Sequence, residues 1–209
     1  MINRPQYLKE LLSFKDANLI KIVTGVRRSG KSTLFDLYKQ ELLQQGVEEK
    51  QIQIIKLEEL ENENLLDYKN LYQHILENII PNKKNYVFLD EIQNVSDFEK
   101  AVRSLFEKGN IDLYLTGSNS KLQSGQWATS LAGRYVEIKM YPLSYKEFYE
   151  TYSKEAQQNL DKIYEDYLTF SSFPYATYFI KQGSKDVLKQ IHTYIEGIFN
   201  TIILKDVME

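Results

Sequence analysis

Residues 25–32 read Gly25-Val26-Arg27-Arg28-Ser29-Gly30-Lys31-Ser32. Two glycines bracket a short polar stretch, and a lysine and a hydroxyl follow at once. A loop of this spacing can turn its backbone N–H groups inward around an anion. The lysine can then reach terminal phosphate oxygens, and the hydroxyl can ligate Mg²⁺. An apolar run, Leu19-Ile20-Lys21-Ile22-Val23, enters the loop, and Thr33-Leu34-Phe35-Asp36-Leu37-Tyr38 leaves it in a helical pattern. Phosphate cradling requires that strand–loop–helix setting, because the helix N-terminus adds partial positive charge. Gly25, Val26, Arg27, Arg28, Ser29, Gly30, Lys31, Ser32 and Thr33 are therefore read as a loop binding a nucleoside triphosphate. Arg27 and Arg28 give the loop an unusual charge; contact with phosphate, contact with an acidic loop and exposure to solvent all stay open for them.

A second constellation is Tyr86-Val87-Phe88-Leu89-Asp90-Glu91, an apolar strand ending in two acids. Mg²⁺ bound to phosphates needs a carboxylate nearby, and hydrolysis needs a group to orient or deprotonate water. Asp90, with Ser32, suits the metal; Glu91 suits the water, because successive strand residues point to opposite sides. About 55 residues separate the two motifs, room for a helix, a strand and another helix. The Asp-Glu strand is thus not second in sequence, as in P-loop ATPases that insert a strand between the motif strands. In those folds the following strand ends in a polar residue that senses the terminal phosphate. Here it ends Thr116-Gly117-Ser118-Asn119, with Ser118 the first choice for the sensor and Asn119 the second. Arginine occurs only at positions 4, 27, 28, 103 and 134. Arg134, between Gly133 and the next strand, is the candidate for meeting charge that develops on a transferred phosphoryl group; a capping or surface role is the competing reading.

The elements that must position these residues follow from periodicity. An amphipathic helix is expected over 4–14, then strands at 19–24, 52–57, 86–89, 111–115 and 135–139. Helices are expected at 32–45, 66–80 and 96–108, with an acidic, Asn-rich loop at 58–64. Strands alternating with helices argue for a parallel sheet covered on both faces. After Pro142 the pattern turns helical, over 144–152, 157–170 and 184–207. The division expected is a nucleotide-binding core at 1–141 and a helical lid or linker at 142–209. The last helix runs towards the C-terminus in mid-pattern, which suggests a chain cut from something longer.

A formal net charge of −3 gives no global electrostatic case for binding nucleic acid. The absence of cysteine excludes disulfides and thiolate metal sites. Mean hydropathy of −0.45, with no apolar leader or membrane-length run, leads to the expectation of a cytoplasmic protein without a membrane partner. His74 and His192 lie on different predicted helices and read as ordinary surface or core residues rather than metal ligands. The aromatic residues of the C-terminal third are read as core, and Trp127 as a packed loop anchor.

Taken together, these segments resemble the AAA_14 family, an archaeal-type ATP-binding group of the AAA superfamily. The resemblance rests on Thr24 to Thr33, on Phe88-Leu89-Asp90-Glu91-Ile92-Gln93, and on Leu115-Thr116-Gly117-Ser118-Asn119. It extends through Leu131-Ala132-Gly133-Arg134-Tyr135, Tyr141 to Phe148, and Ile203-Leu204-Lys205-Asp206-Val207. It implies a three-layer α/β/α P-loop fold whose five parallel strands run 5-1-4-3-2, with a C-terminal helical lid. It also implies adenine as the base and, in relatives, a following domain called DUF4143. Relatives tend to carry Gly-Gly-Phe-Pro-Glu where this chain has Ser171-Ser172-Phe173-Pro174-Tyr175, so any role of that glutamate does not transfer.

The expected activity is Mg²⁺-dependent ATP binding and hydrolysis as a nucleotide-driven switch. Lys31, Glu91, Ser118, Asn119 and Arg134 would serve catalysis, and ATP/ADP would be the ligands. A homo-oligomer and a C-terminal effector domain are the candidate partners. The alternatives are a non-hydrolysing ATP-binding regulatory module and a small-molecule kinase.

Overall fold

The computed structural model describes residues 2, 4–117, 131–152, 160–170, 172–183 and 185–202. They form two compact units. One comprises residues 5–25 and 31–139; the other takes in the N-terminal residues through Arg4, Val26–Gly30, and the chain from Met140 onward.

The first unit is built on five parallel strands: β1 (Ile20–Thr24), β2 (Ile52–Lys56), β3 (Asn85–Asp90), β4 (Ile111–Gly117) and β5 (Tyr135–Lys139). They are ordered β2-β3-β4-β1-β5, which is the expected 5-1-4-3-2 read from the other edge. Strands β1, β3 and β4 are buried along their whole length, as a sheet covered on both faces requires. Helices α1 (Pro5–Ser13), α2 (Lys31–Gln44), α3 (Tyr68–Glu77) and α4 (Phe98–Phe106) accompany the sheet. Asp67 caps α3 by accepting hydrogen bonds from the amides of Lys69 and Asn70. At the start of α4, Asp97 adopts a left-handed conformation and makes no side-chain cap; its carboxylate takes the Lys100 ammonium at 2.8 Å. The stretch expected to be a loop holds a 3₁₀ helix, Leu60–Leu65.

The core beside α2 is aromatic. Phe88 stacks on Tyr114 at 4.6 Å, and Phe35 and Tyr38 meet Phe88 edge-on. Inside it lies an ion pair between Lys21 on β1 and Asp112 on β4, both almost wholly out of water. The Tyr114 hydroxyl spends its hydrogen on Asp112, so the Tyr38 hydroxyl donates to Tyr114 at 2.8 Å. The Asp16 amide completes the carboxylate's shell at 2.9 Å, and Lys21 also donates to the Ala17 carbonyl at 3.0 Å. Burial pushes the Lys21 ammonium below its ordinary pKa, against the pull of Asp112.

The second unit contains α5 (Tyr145–Tyr152), α6 (Leu160–Phe170), α7 (Ala176–Gln182) and α8 (Val187–Ile202). Its small core is Leu143, Phe148 and Ile163, flanked by Tyr145, Tyr149 and Tyr167. Helix α7 lies outside the sequence expectations; at seven residues, directly after Pro174, it is too short to declare a helical period.

The Lys21–Asp112 pair yields a stability prediction. Lys21→Met should strand a buried carboxylate and cost about 3–5 kcal/mol, read as a lower urea midpoint with unchanged slope. A loss within a few tenths of a kcal/mol would mean that Asp112 is satisfied without the lysine.

Candidate functional site

Parallel pairing puts the C-terminal ends of β1, β3 and β4 along one edge, and the functional side chains of the first unit gather there. β1 leads into the loop and α2 leaves it, beginning at Lys31. The first amides of any helix lack an intrahelical acceptor, so this N-terminus presents donors where the motif wants an anion. The Lys31 side chain is only 4% exposed. It donates to the Gly25 carbonyl at 3.1 Å and lies 3.4 Å from a Glu91 carboxylate oxygen. Ser32, the expected metal ligand on α2, stands near enough to Asp90, its expected co-ligand at the end of β3, to favour the ionised carboxylate. Lys31, Ser32, Asp90 and Glu91 therefore converge, although β4 separates the strands that carry them.

Thr116 organises the two acids, a role that sequence reasoning missed. Its hydroxyl donates to the Asp90 carboxylate across the β3–β4 pair and accepts from the Glu91 amide at 2.9 Å. Glu91 needs such a tether: it sits in the left-handed region at φ 56°, where a residue with a Cβ is strained. Its second carboxylate oxygen takes the Gln93 side-chain amide at 2.5 Å. Nothing in the sequence marks Thr116 until the pairing of β3 with β4 sets it level with Asp90.

Burial pushes the Asp90 carboxyl above the usual carboxylate range, and Ser32 and Thr116 offset this only in part. A carboxylate in that position gains from a cation. All the oxygens on offer, from Ser32 and Asp90, are hard ligands of the kind Mg²⁺ prefers, so the residues fit that ion. Among the described residues, no group of three His, Cys, Asp or Glu side chains converges as a metal site.

The crown of the loop, Val26–Gly30, belongs to the second unit. The Ser29 amide donates to the Val26 carbonyl at 3.2 Å, closing a turn, and Arg28 sits at φ 66°. Of the readings left open for Arg28, the structure shows a further one: its guanidinium lies over the Tyr194 ring of α8, 5.2 Å from the centroid. Gly30 is at φ 105°, and a Cβ there would come within 3.4 Å of the Met140 methyl. The left-handed backbone is what favours glycine here; the methyl contact alone would tolerate a Cβ.

Arg134 is placed otherwise than its expected role in the same chain requires. Its carbonyl accepts from the Ile20 amide, which puts it beside the start of β1, whereas the loop leaves the end of that strand. The separation along β1 is roughly 13–16 Å at the usual rise per residue. Its guanidinium faces Glu107 at 3.7 Å and is partly exposed. Ser118, Asn119 and Trp127 lie outside the described residues.

A family model described as an AAA domain, AAA_14, matches residues 17–149. The chain belongs to the AAA_14 family. It is 40% identical over 210 residues to an uncharacterized protein of Haemophilus influenzae, covering 99% of this chain and 50% of the relative. An uncharacterized protein of Methanocaldococcus jannaschii is 34% identical over 206 residues, covering 92% and 42%. The chain thus spans about half the length of the curated relatives it matches. Among solved structures, a Walker-type ATPase of Pyrococcus abyssi superposes with a TM-score of 0.67 at 16% identity, over 98% of this chain and 75% of the other. AMPPCP-bound DnaA from Aquifex aeolicus superposes at 0.52 with 14% identity, over 97% and 61%. The family and the fold make this AAA_14 member a nucleotide-binding P-loop domain. No helix among the described residues is long and apolar enough to cross a membrane.

The raised Asp90 pKa fixes the sign of a further prediction. The folded state holds that proton more readily than the unfolded chain, so ionised Asp90 costs stability at neutral pH, and the cost fades as pH falls through the folded pKa. Asp90→Asn should therefore raise the Tm of the nucleotide-free protein, by about 2–4 °C for each kcal/mol regained. The same change should remove any rise in Tm produced by adding Mg²⁺ to ATP. A lower Tm in the variant would show that the ionised carboxylate is already compensated.

Proposed function

We propose that this AAA_14 domain binds Mg·ATP and hydrolyses it slowly on its own, acting as a nucleotide-driven switch. The observation that carries the reading is the convergence of Lys31, Ser32, Asp90 and Glu91 at the C-terminal ends of β1 and β3. Ser32 and Asp90 would hold the ion, which would supply positive charge against the phosphates.

The remaining roles follow from the chain's own groups. Loop amides and the α2 N-terminus hold the phosphates. Without nucleotide, the Lys31 ammonium is balanced by Glu91. A phosphate chain competes for that ammonium, and Glu91, anchored by Gln93 and by the Thr116 tether on its amide, is released to orient and deprotonate water. Ser118, two residues beyond Thr116, is assigned the phosphate-sensing role, with Asn119 as its second choice. Arg134, remote from the loop of its own chain, would act only on a neighbouring subunit's nucleotide. That placement favours an assembly-dependent ATPase over a monomeric one. It also supports, as the second reading, a non-hydrolysing ATP-binding module wherever assembly fails. A cytoplasmic setting and control of a further domain complete the proposal.

The test is phosphate release from Mg·ATP across a range of protein concentrations, beside Glu91→Gln. Specific activity should rise with concentration. Turnover in the variant should fall by about 10²–10⁴-fold, while ATP binding stays at least as tight, because the ion pair competing for Lys31 is gone. Equal turnover in wild type and variant would remove Glu91 from the mechanism. Tight binding with no turnover at any concentration would establish the second reading.

A further inference from the structure

The second unit contains a buried arginine that the proposed chemistry does not use. Arg4 is 3% exposed, an environment in which a guanidinium must be paired and hydrogen-bonded. Its Nε donates to Glu147 Oε1 at 2.6 Å and its Nη2 to Glu147 Oε2 at 3.3 Å, the two-pronged geometry that suits arginine and carboxylate. Nη2 also donates to the Tyr141 carbonyl at 2.9 Å. Nη1 donates to the Ser29 carbonyl, inside the phosphate loop, at 3.2 Å.

Glu147 is itself fixed. Its Oε2 accepts from both the amide and the hydroxyl of Ser144 at 2.9 Å, and the Ser144 hydroxyl accepts from the Glu147 amide at 3.3 Å. That reciprocal capping box starts α5. A line of bonded groups therefore runs from the α5 N-terminus through Glu147 and Arg4 to the Ser29 carbonyl.

Peptide planarity turns this anchor into a statement about the loop. In a trans peptide the carbonyl of one residue and the amide of the next point in opposite directions, and no cis bond is present among the described residues. Drawing the Ser29 carbonyl towards Arg4 therefore aims the Gly30 amide away from Arg4. Gly30 lacks a Cβ and has a left-handed backbone, so nothing of its own would hold that peptide plane against rotation.

We propose that Arg4, held by Glu147, is a positioning residue for the phosphate loop: by fixing the Ser29 carbonyl it presents the Gly30 amide to the phosphates of a bound nucleotide. The inference rests on the Mg·ATP reading above. A lysine would not replace the arginine, because one ammonium cannot meet two carbonyls and both carboxylate oxygens in a planar fork. Nucleotide occupancy would then be felt at the start of α5, through bonds already in place.

The experiment is calorimetric titration with Mg·ATP of wild type, Arg4→Ala, Arg4→Lys and Glu147→Gln. It is run at a temperature where circular dichroism shows every sample fully folded. Glu147→Gln keeps the shape and an acceptor for Ser144, so it weakens the anchor with least risk to folding. Losing an oriented amide donor to a charged phosphate should weaken binding by about 10- to 100-fold in Arg4→Ala. Arg4→Lys should resemble it rather than wild type, and Glu147→Gln should fall between. Variants that melt earlier yet bind Mg·ATP as wild type does would overturn the inference and leave Arg4 a structural staple. A wild-type chain that does not bind Mg·ATP would overturn the functional reading itself. Should Arg4→Ala fail to fold, Arg4→Lys and Glu147→Gln decide the matter alone.

Discussion

A lysine ammonium and two carboxylates are held nearly out of water where β1 and β3 end, and much of the first unit answers that constraint. Isolated buried charges are costly, so each is matched by a neighbour. Lys31 has the Gly25 carbonyl and Glu91; Asp90 has Ser32 and Thr116. The match is incomplete, since the Asp90 carboxyl still titrates above its ordinary range. An excess of negative charge beside a helix N-terminus and a lysine is the electrostatic counterpart of a cation-bound polyphosphate. The strained Glu91 backbone, locked by Thr116, is consistent with strain kept where it serves function.

The sheet itself is arranged to keep that edge rigid. β4 lies between the two motif strands and delivers Thr116 level with Asp90. At its other end the same strand carries Asp112, which pairs with Lys21 of β1 and is tied through Tyr114 to Tyr38 of α2. Buried pairs of this kind are weak evidence for stability but specify register: sliding β4 by one residue would turn Asp112 and Thr116 to the wrong face together.

Most of the sheet was legible in the sequence because its strands are short apolar runs ended by chemistry-bearing residues. Phe88-Leu89-Asp90-Glu91 announces both the strand and the candidate site. What stayed hidden involves partners distant in sequence. Thr116 matters only because Asp90 is its neighbour across β3 and β4, and Arg4 only because Glu147, 143 residues later, closes on it. Arg134 is a further case: its carbonyl pairs with the Ile20 amide, which sets it beside the start of β1, a placement the Gly133-Arg134-Tyr135 motif does not declare by itself. Periodicity likewise could not reveal α7, shorter than two helical turns after Pro174. Membership of AAA_14 was readable from the motifs, and the family match over residues 17–149 agrees.

The central claim is that Lys31 and its neighbours form a binding site for the phosphates of Mg·ATP. Equilibrium dialysis of labelled ATP tests it most directly, with wild type and Lys31→Ala compared in Mg²⁺ and in EDTA. The account predicts saturable binding by wild type that weakens in EDTA and is lost in Lys31→Ala. Binding that survives Lys31→Ala unchanged, or is indifferent to Mg²⁺, would contradict it.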